Sequence, residues 1–459
     1  MNAEKTRAKE SKELAKWRHQ ADKKPIAGYM IIMMAILSIV RLLDEFVTSA
    51  PTSVQSNIVE EFFVSGLGMS FEQGLSTLSL ITTALLLCSI LAVFFVALCD
   101  KLGRRTILIV STLGMTMGML ICSISANLTV HLIGRAIITF FVATDVHQIY
   151  VMEIAPKDKR ATYTQFTTVF GSLGIMLVGL VRMIFTHNGV LNWRGVFFLP
   201  CVIGVAATIA VILFARETDA FLTARISYLE KPLEQRKAEA EAAKKQKIEA
   251  EAKSGIIPAA RYVFTHKQTR SIFLAQIPCC FATMAFATYY ETIMTSAGMN
   301  TSQVSSALFI YPVSSAIVAV IVGYVTDHWG RRPAGILTAL LTFLSLFLFV
   351  FSAQNGMNPY LVGLVLGVEI GAFWRFNETL SLSMRESVPT VIRASAGSAT
   401  GLISLVFSLV SGVLISVFLA VFPVEKVCLV WGAVTIGLSA LLYVLLVKET
   451  KDTNLEDVH

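Results

Sequence analysis

The chain has 459 residues, of which 55% are hydrophobic and only 15% are charged, and its mean hydropathy is +0.67. This composition is too apolar for an ordinary soluble domain and indicates an integral membrane protein. The net charge of +7 does not indicate a nucleic-acid-binding protein, because the basic residues cluster in short segments between apolar runs. The chain begins with a polar segment, residues 1–27, which we interpret as a solvated tail and not as a signal peptide.

Runs of about 20 apolar residues recur along the rest of the chain, and each is long enough to cross a hydrocarbon core about 30 Å thick. The pattern therefore predicts an all-α integral membrane protein with twelve transmembrane helices. The predicted spans are residues 28–49, 75–98, 106–126, 129–152, 162–186, 196–215, 270–294, 304–326, 333–353, 359–383, 394–418 and 425–447.

Lysine and arginine predict the orientation, because cytoplasmic loops near helix ends carry the excess of these residues. If the N-terminus is cytoplasmic, 32 of the 38 basic residues lie on the cytoplasmic side, and only Arg194 and Lys426 lie on the other. We therefore expect both termini to be cytoplasmic. The short loops and the absence of a targeting segment favour the cytoplasmic (inner) membrane of a bacterium.

The composition turns polar at residues 216–268, where residues 233–254 are rich in Ala, Glu and Lys. These residues favour a helix that cannot span a membrane. We expect a cytoplasmic helical connector between two six-helix bundles, residues 28–215 and 269–447. Residues 448–459 would then form a cytoplasmic C-terminal tail.

Two motifs occur once in each half of the chain. The pattern D-x-x-G-R-R begins at Asp100 after the second span and again at Asp327 after the eighth, 227 residues later. The pattern E-x-x-P-x-x-x-R begins at Glu153 after the fourth span and again at Glu386 after the tenth, 233 residues later. Two motifs in the same order, after corresponding spans, predict two homologous bundles related by a pseudo-two-fold axis along the membrane normal.

The D-x-x-G-R-R motif in these two loops resembles the signature of the major facilitator superfamily, and the similarity covers the whole chain. Within that superfamily the chain resembles the sugar porters at Gly134-Arg135, Arg216-Glu217-Thr218, Tyr289-Tyr290 and Lys448-Glu449-Thr450. Span 7 has Gln276 but lacks the paired glutamines and the asparagine of that branch, and span 10 lacks its Gly-Pro-x-x-Trp. The resemblance implies the major facilitator fold and transport by alternating access.

The repeated motifs place acids and arginines at the inner ends of both bundles. We expect these residues to form a cytoplasmic gate that is intact in one state of the carrier and broken in another, a role that the resemblance also implies. The alternative is topology anchoring by basic loop residues, which explains the arginines but not the repeated acids. The predicted gate residues are Asp100, Gly103, Arg104, Arg105, Glu153, Arg160, Asp327, Gly330, Arg331, Arg332, Glu386 and Arg393.

Ionisable residues inside the spans are candidates for proton coupling, since each costs at least about 2.5–3.5 kcal/mol without a partner or a wet cavity. Arg41 precedes Asp44 and Glu45 by three and four residues, so an intrahelical ion pair is one interpretation. The sugar-porter resemblance implies instead that Asp44 carries the proton. Asp145 and Glu378 occupy equivalent repeat positions, where they either face a central cavity and bind protons or are neutralised by neighbouring arginines.

Most of the other candidates also lie in spans 1, 4, 7 and 10, which line the cavity in this architecture. Some offer hydrogen-bonding and stacking surfaces, and His147 either titrates near neutral pH or is structural. The predicted substrate-binding or proton-coupling residues are Asp44, Glu45, Arg135, Asp145, His147, Gln148, Gln276, Tyr289, Tyr290, Glu291, Glu369, Trp374, Arg375 and Glu378.

These features predict a secondary transporter that carries a small polar solute, such as a sugar, a polyol or an organic acid, by proton-coupled symport. Proton-driven efflux of amphipathic compounds and uncoupled facilitation stay open as alternatives. The sequence lacks HExxH, G-x-S-x-G and Walker motifs, so we expect no enzymatic activity, no cofactor and no metal. The expected partners are the substrate, protons and the lipid bilayer, with no nucleic acid, and we expect a monomer.

Overall fold

The computed structural model describes residues 2–22, 28–96, 98–156, 159–232, 235, 255–389 and 392–451. Most of these residues are helical, and within them the β-structure is a two-stranded antiparallel hairpin, Thr186–His187 with Val190–Leu191. Eleven helices are long and apolar enough to cross a membrane. Span 1 is a further long helix, Tyr29–Ser53, which carries the charged residues Arg41, Asp44 and Glu45.

The spans follow the predicted order. Span 1 continues beyond Tyr29–Ser53 through Gln55–Ile58 and the π-helical segment Val59–Ser65. The apolar spans 2 to 12 are Phe71–Val96, Arg104–Ser123, Leu128–Ile154, Thr162–Ile184, Trp193–Phe214, Lys267–Ala287, Thr301–His328, Arg331–Gln354, Pro359–Glu386, Ser395–Leu419 and Val424–Leu446. The prediction of an all-α membrane protein is confirmed, and that of twelve spans is confirmed for eleven. Below, "inner" denotes the side that the basic residues assign to the cytoplasm.

Spans 4 and 7 are interrupted where the sequence predicted continuous helices. Span 4 consists of Leu128–Val142 and Val146–Ile154, and Asp145 between them has a left-handed φ of 47°. A left-handed residue cannot continue a right-handed helix, so the helix ends there and restarts. Span 7 ends at Ala287 and is followed by the short helix Tyr290–Ser296. Apolar runs carry no signal for single-residue breaks of this kind.

The helices form two compact units, which we call unit 1 and unit 2. Unit 1 contains Met1–Thr48, Leu87–Ile175 and Arg194–Ile248. Unit 2 contains Ser49–Leu86, Met176–Trp193 and Glu249–His459. These limits differ from the predicted halves because the outer ends of spans 1, 2 and 5 group with the C-terminal spans. The division into residues 28–215 and 269–447 rests on the sequence repeat and stays a prediction.

The core of unit 1 lies between spans 1, 3, 4 and 6. Met33 and Leu37 of span 1, Leu108 of span 3, Tyr150 of span 4 and Val211 of span 6 are fully buried in one cluster. Lipid tails are as apolar as these side chains, so close van der Waals packing between the spans, and not exclusion from water, stabilises this contact. This packing holds the inner halves of the four spans together.

The N-terminal segment is a helix, Asn2–Asp22, and not the solvated tail that its polarity suggested. It packs against the connector helix Asp219–Glu230, where Trp17 is 5% exposed and meets the Phe221 ring edge-on at 5.2 Å. Arg225 donates to Glu13 at 2.7 Å. Burial opposes ionisation of Glu13, but hydrogen bonds from Arg225 and Trp17 leave its pKa below the ordinary value. The predicted helix at residues 233–254 lies outside the described residues.

The contact between Trp17 and Phe221 gives a direct test of this docking. We expect Trp17→Ala to remove about 2 kcal/mol of apolar burial and to increase the detached population of the N-terminal helix roughly 30-fold. Tryptic cleavage within residues 2–22 should accelerate accordingly in purified protein. Ser11→Ala, an exposed change in the same helix, is the control, and equal cleavage rates for both variants would contradict the docking.

Candidate functional site

A cluster of charged residues joins the inner ends of spans 3, 4 and 6, and we call it inner cluster 1. The Arg104 Nε donates to Glu153 Oε1 at 2.9 Å, and the Thr218 Oγ1 donates to Glu153 Oε2 at 2.5 Å. The backbone amides of Arg104 and Arg105 donate to Glu217 Oε1 at 2.7 and 3.2 Å. Each carboxylate oxygen of Glu153 therefore binds a different segment of the chain.

The same arrangement recurs in unit 2 as inner cluster 2. Arg331 donates to Glu386 through Nε at 3.0 Å and through a terminal nitrogen at 2.7 Å, and Thr450 Oγ1 donates to Glu386 at 2.7 Å. The backbone amides of Arg331 and Arg332 donate to the two oxygens of Glu449 at 2.9 and 3.0 Å. The two clusters thus share donors, acceptors and connectivity.

Glycine is required at the first residue of both clusters. Gly103 and Gly330 have φ values of +93° and +113°, which side-chain-bearing residues rarely adopt. A Cβ at Gly103 would lie 2.1 Å from Glu217 Oε2, and one at Gly330 would lie 2.5 Å from Glu449 Oε2. The missing side chain lets each carboxylate approach the N-terminus of the following span, where backbone amides and the helix dipole favour a negative charge.

Burial distinguishes the two capping glutamates. Burial raises the pKa of Glu217, although the backbone amides of Arg105, Thr218 and Arg104 act in the opposite direction. Glu449 is exposed, so its smaller burial effect is outweighed by hydrogen bonds from the backbone of Lys451, Arg332, Arg331 and Thr450, and its pKa is lowered. Of the two capping glutamates, Glu217 is therefore the one that is protonated more readily.

The other predicted gate residues form no ion pair with these clusters among the described residues. Arg160 is exposed, and the exposed Asp327 interacts electrostatically with Arg331. Arg393 donates to the carbonyl of Val388 at 3.3 Å. The side chain of Asp100 lies outside the described residues. Conversely, the sequence prediction did not include Glu217, Thr218, Glu449 and Thr450. The Glu-Thr pair recurs 232 residues later, after spans 6 and 12, and this third repeat was the available signal.

A second cluster joins spans 1 and 4 within unit 1, and we call it the Arg41 cluster. Arg41 lies 3.0 Å from Asp44, 2.5 Å from Glu45 and 3.8 Å from Asp145. Its NH1 is also 3.5 Å from His147 Nε2, and both His147 and Asp44 are buried. Asp145 is 58% exposed and accepts a 3.2 Å hydrogen bond from Gln148. One guanidinium is thus shared between the acids of two spans.

The oxygen and nitrogen atoms of Asp44, Asp145 and His147 lie within 4.8 Å of one another, a spacing that metal ligands adopt. The Arg41 guanidinium lies among the same atoms, at the distances given above. A fixed positive charge in that position opposes the binding of a cation. The arrangement therefore does not favour a metal ion at this position.

A third cluster lies in unit 2 at the outer ends of spans 1, 5, 7 and 8, and we call it the outer cluster. Glu291, which is 1% exposed, accepts hydrogen bonds from the backbone amide and hydroxyl of Ser56 at 3.1 and 2.5 Å. Arg182, which is 2% exposed, lies 3.8 Å from Glu291, donates to Ser305 at 3.3 Å and also donates to the carbonyl of Ser53. Arg182 is not among the site residues that the sequence predicted.

The two tyrosines before Glu291 bind the outer parts of spans 1 and 2. Tyr289 is hydrogen-bonded to Ser79 at 2.5 Å and Tyr290 to Thr52 at 2.7 Å. Both tyrosines are buried. Their hydroxyl groups therefore connect the end of span 7 to spans 1 and 2 within unit 2.

The remaining predicted residues are distributed along spans 4, 7 and 10. Arg375 and Glu378 form an ion pair of 2.6 Å on one face of span 10, and Trp374 beside them is 42% exposed. Glu369 is buried, and its Oε2 has no hydrogen-bond partner among the described residues. Gln276 is also buried. Arg135 is half-buried and forms no ion pair within the described part of the chain.

Comparison with known proteins assigns the chain to a family. The Major Facilitator Superfamily profile matches residues 27–416. The "Sugar transporter ERD6-like 18" of Arabidopsis thaliana is 26% identical over 350 residues, which cover 71% of this chain and 69% of that protein. The "Probable metabolite transport protein CsbC" of Bacillus subtilis is 25% identical over 411 residues, 83% of this chain and 85% of that protein.

Solved structures agree with this assignment at the level of the fold. The crystal structure of a D-xylose-proton symporter superposes with a TM-score of 0.69 at 17% identity, over 92% of this chain and 99% of that one. An inward open structure of the xylose transporter XylE from E. coli superposes with a TM-score of 0.66 at 18% identity, over 93% of this chain and 98% of that one. The matched residues, the repeated motifs and the shared fold establish that this chain belongs to the major facilitator superfamily of membrane transporters.

Proposed function

We propose that the protein is a proton-coupled symporter of a small polar solute, most specifically a sugar, in the cytoplasmic membrane of a bacterium. The observation that carries the proposal is the Arg41 cluster, in which one guanidinium is shared by carboxylates of spans 1 and 4. The names of the relatives support a sugar, and the sequence also fits a polyol or an organic acid. A monomer is sufficient for this mechanism.

The coupling argument is one of charge balance. If Asp44, Glu45 and Asp145 are all ionised, Arg41 compensates only one of three negative charges. Asp44 is 4% exposed, so excess negative charge there is costly and a proton relieves it. Protonation of Asp44 also weakens its hold on Arg41 and frees the guanidinium to bind Asp145. A proton arriving at span 1 would thereby change the contact between spans 1 and 4.

The gating argument uses the clusters at the two ends. Inner clusters 1 and 2 each tie three segments into one rigid inner end, so that each end moves as a body when the carrier changes state. The outer cluster holds the outer ends of spans 1 and 5 on spans 7 and 8, and it must separate before a solute enters from outside. Substrate and protons would shift the balance between these arrangements.

Uptake by reconstituted protein tests the proposal as a whole. Liposomes are supplied with labelled hexoses, polyols, monocarboxylates and dicarboxylates, with and without an inward proton gradient. We expect accumulation of one solute class that collapses when the gradient is dissipated. Equilibration that is indifferent to the gradient would support a facilitator, and failure with all solutes but binding of amphipathic cations would support efflux.

Neutralising Asp44 tests the role of the Arg41 cluster. We expect Asp44→Asn to abolish accumulation driven by the gradient while solute counterflow stays within about threefold of wild type, because exchange needs no net proton movement. Glu45→Gln is the matched comparison, since it removes the same charge from a more exposed partner of Arg41 and should retain accumulation. Equal losses in both variants would indicate a purely structural ion cluster.

Filling the space at Gly103 tests inner cluster 1. We expect Gly103→Ala to lower the maximal uptake rate about tenfold, because the new Cβ displaces the Glu217 carboxylate and strains the backbone. Gly323→Ala in span 8 is the control, since a Cβ there meets nothing within 4 Å. Wild-type rates for both variants, measured as initial uptake at saturating solute, would exclude a role for this cap.

Removing one charge of the outer cluster tests the outer gate. Glu291→Gln leaves Arg182 as a buried, unpaired cation, which costs about 3–5 kcal/mol in the closed arrangement and less once water enters. With spin labels at His187 and Met357, both on the outer side, we expect the label-to-label distance to be long in a larger fraction of Glu291→Gln molecules than of wild-type molecules.

The exposed change Glu60→Gln is the control for this shift. The double variant Arg182→Met with Glu291→Gln should return the distances towards those of wild type, because neither charge is then stranded. An unchanged distance distribution in Glu291→Gln would contradict a gating role for the pair.

A further inference from the structure

A cavity of about 200 Å³ lies in unit 2 between spans 7, 10 and 11. Its walls include Gln276, Arg385, Arg393 and Thr400 together with Gly397 and Gly401. Inner cluster 2 does not contribute its paired charges to this cavity. The volume is smaller than that of sites for drug-sized ligands and suits a small ion or a single headgroup.

Neither arginine of the cavity has a carboxylate within ion-pair distance among the described residues. Of the nearby carboxylates, Glu386 is held by Arg331 and Thr450. Glu378 is paired with Arg375 at 2.6 Å and also interacts electrostatically with the exposed Arg385. The cavity therefore presents two guanidinium groups without a direct ion pair.

Buried polar atoms in the same walls also lack partners. Arg393 donates through a terminal nitrogen to the carbonyl of Val388, but its Nε is enclosed and has no hydrogen-bond partner in the described part of the chain. Gln276 is 7% exposed, and its Oε1 is likewise without a partner there. Leaving such a buried group without a hydrogen-bond partner is unfavourable, and more so when the group is charged. A bound molecule would remove that cost.

Span 11 forms the third wall of the cavity and contributes two glycines, which have no side chains, to it. Gly397 and Gly401 are four residues apart, so they lie on one face of the helix. A Cβ built on either glycine meets no atom within 4 Å. The open volume thus exists because side chains are absent here, and a larger residue would occupy it without collision at the Cβ.

We propose that this cavity binds an anion of phosphate chemistry, held by the guanidinium groups of Arg385 and Arg393 beside Gln276 and Thr400. A phosphate monoester carries a charge of about −1.5 to −2 near pH 7, which matches two guanidinium groups. The planar guanidinium also offers paired donors for phosphate oxygens. The phosphate belongs either to a soluble molecule or to a lipid headgroup.

Thermal unfolding of the full-length purified protein tests the site, with inorganic phosphate as the probe. In neutral detergent, potassium phosphate should raise the Tm saturably relative to potassium chloride at equal ionic strength, because a ligand that binds the folded state stabilises it. We expect Arg393→Gln to raise the half-saturating phosphate concentration at least about tenfold. In parallel, Tm is compared in nanodiscs of phosphatidylglycerol and of phosphatidylcholine.

Two further variants separate the site from general ionic effects. Gly397→Leu should abolish the shift by filling the cavity, whereas Arg270→Gln, which removes an exposed charge at the start of span 7, should retain it. If phosphate raises the Tm of Arg270→Gln but not of Gly397→Leu, the ligand is a soluble anion. If the same difference between the variants appears only in phosphatidylglycerol nanodiscs, the ligand is a lipid headgroup. Equal shifts in all variants, or no shift in either setting, would overturn the proposal. If Arg393→Gln does not fold, Arg385→Gln replaces it.

Discussion

A charged side chain among membrane-spanning helices has no bulk water to solvate it, so its partner must come from the protein. This constraint organises the four ionic clusters found among the described residues. Arg104 and Arg331 each bind a glutamate of the next span, and Arg182 lies beside Glu291 in a fully buried pair. Arg41 is different, because it lies close to three carboxylates and can fully neutralise only one. A cluster in which each arginine neutralises one carboxylate favours a fixed structure. A cluster with more carboxylates than arginines favours proton exchange.

The internal repeat duplicates the structural clusters but not the Arg41 cluster. Inner clusters 1 and 2 contain the same residue types in the same connectivity, including an arginine that donates to a carbonyl near the end of spans 6 and 12. In contrast, Arg375 and Glu378 of span 10 form one exposed pair, while Asp145 of span 4 faces a guanidinium from another span. A duplicated bundle needs the same anchors twice, but one proton path is sufficient. The asymmetry therefore supports placing the coupling function in the half that contains span 1.

Much of this architecture could be predicted from the sequence, because hydropathy and repeats are one-dimensional signals. Both inner arginine–glutamate pairs follow from the two repeated motifs, as does the need for glycine before each arginine. The capping role of Glu217 and Glu449 could not be assigned in the same way, since it depends on where the chain returns after spans 6 and 12. The pair Arg182 and Glu291 joins spans 5 and 7, more than 100 residues apart, and no local pattern relates them.

The breaks in spans 4 and 7 and the docked N-terminal helix were missed for a similar reason. Asp145 stops its helix through one left-handed residue within an otherwise apolar run. Trp17 is buried by Phe221, a residue beyond six spans of the chain, so the polar composition around it predicts a solvated segment. Local composition indicates the structure that a segment favours in isolation. The helix breaks and the docked helix depend instead on the contacts that the segment makes in the folded protein.

The outer cluster shows how a buried ion pair is compatible with a moving structure. In the closed arrangement Arg182 and Glu291 exchange solvation by water for hydrogen bonds with Ser53, Ser56 and Ser305, so the net stabilisation is much smaller than the Coulomb attraction. When the outer side opens, water solvates both charged groups again. This solvation offsets most of the free energy that is needed to separate them. An apolar contact of the same size would have no such compensation, because exposing it to water is unfavourable throughout. In the gating that we propose, an ion pair that regains water on opening keeps the two arrangements within the few kcal/mol that a proton or a solute supplies.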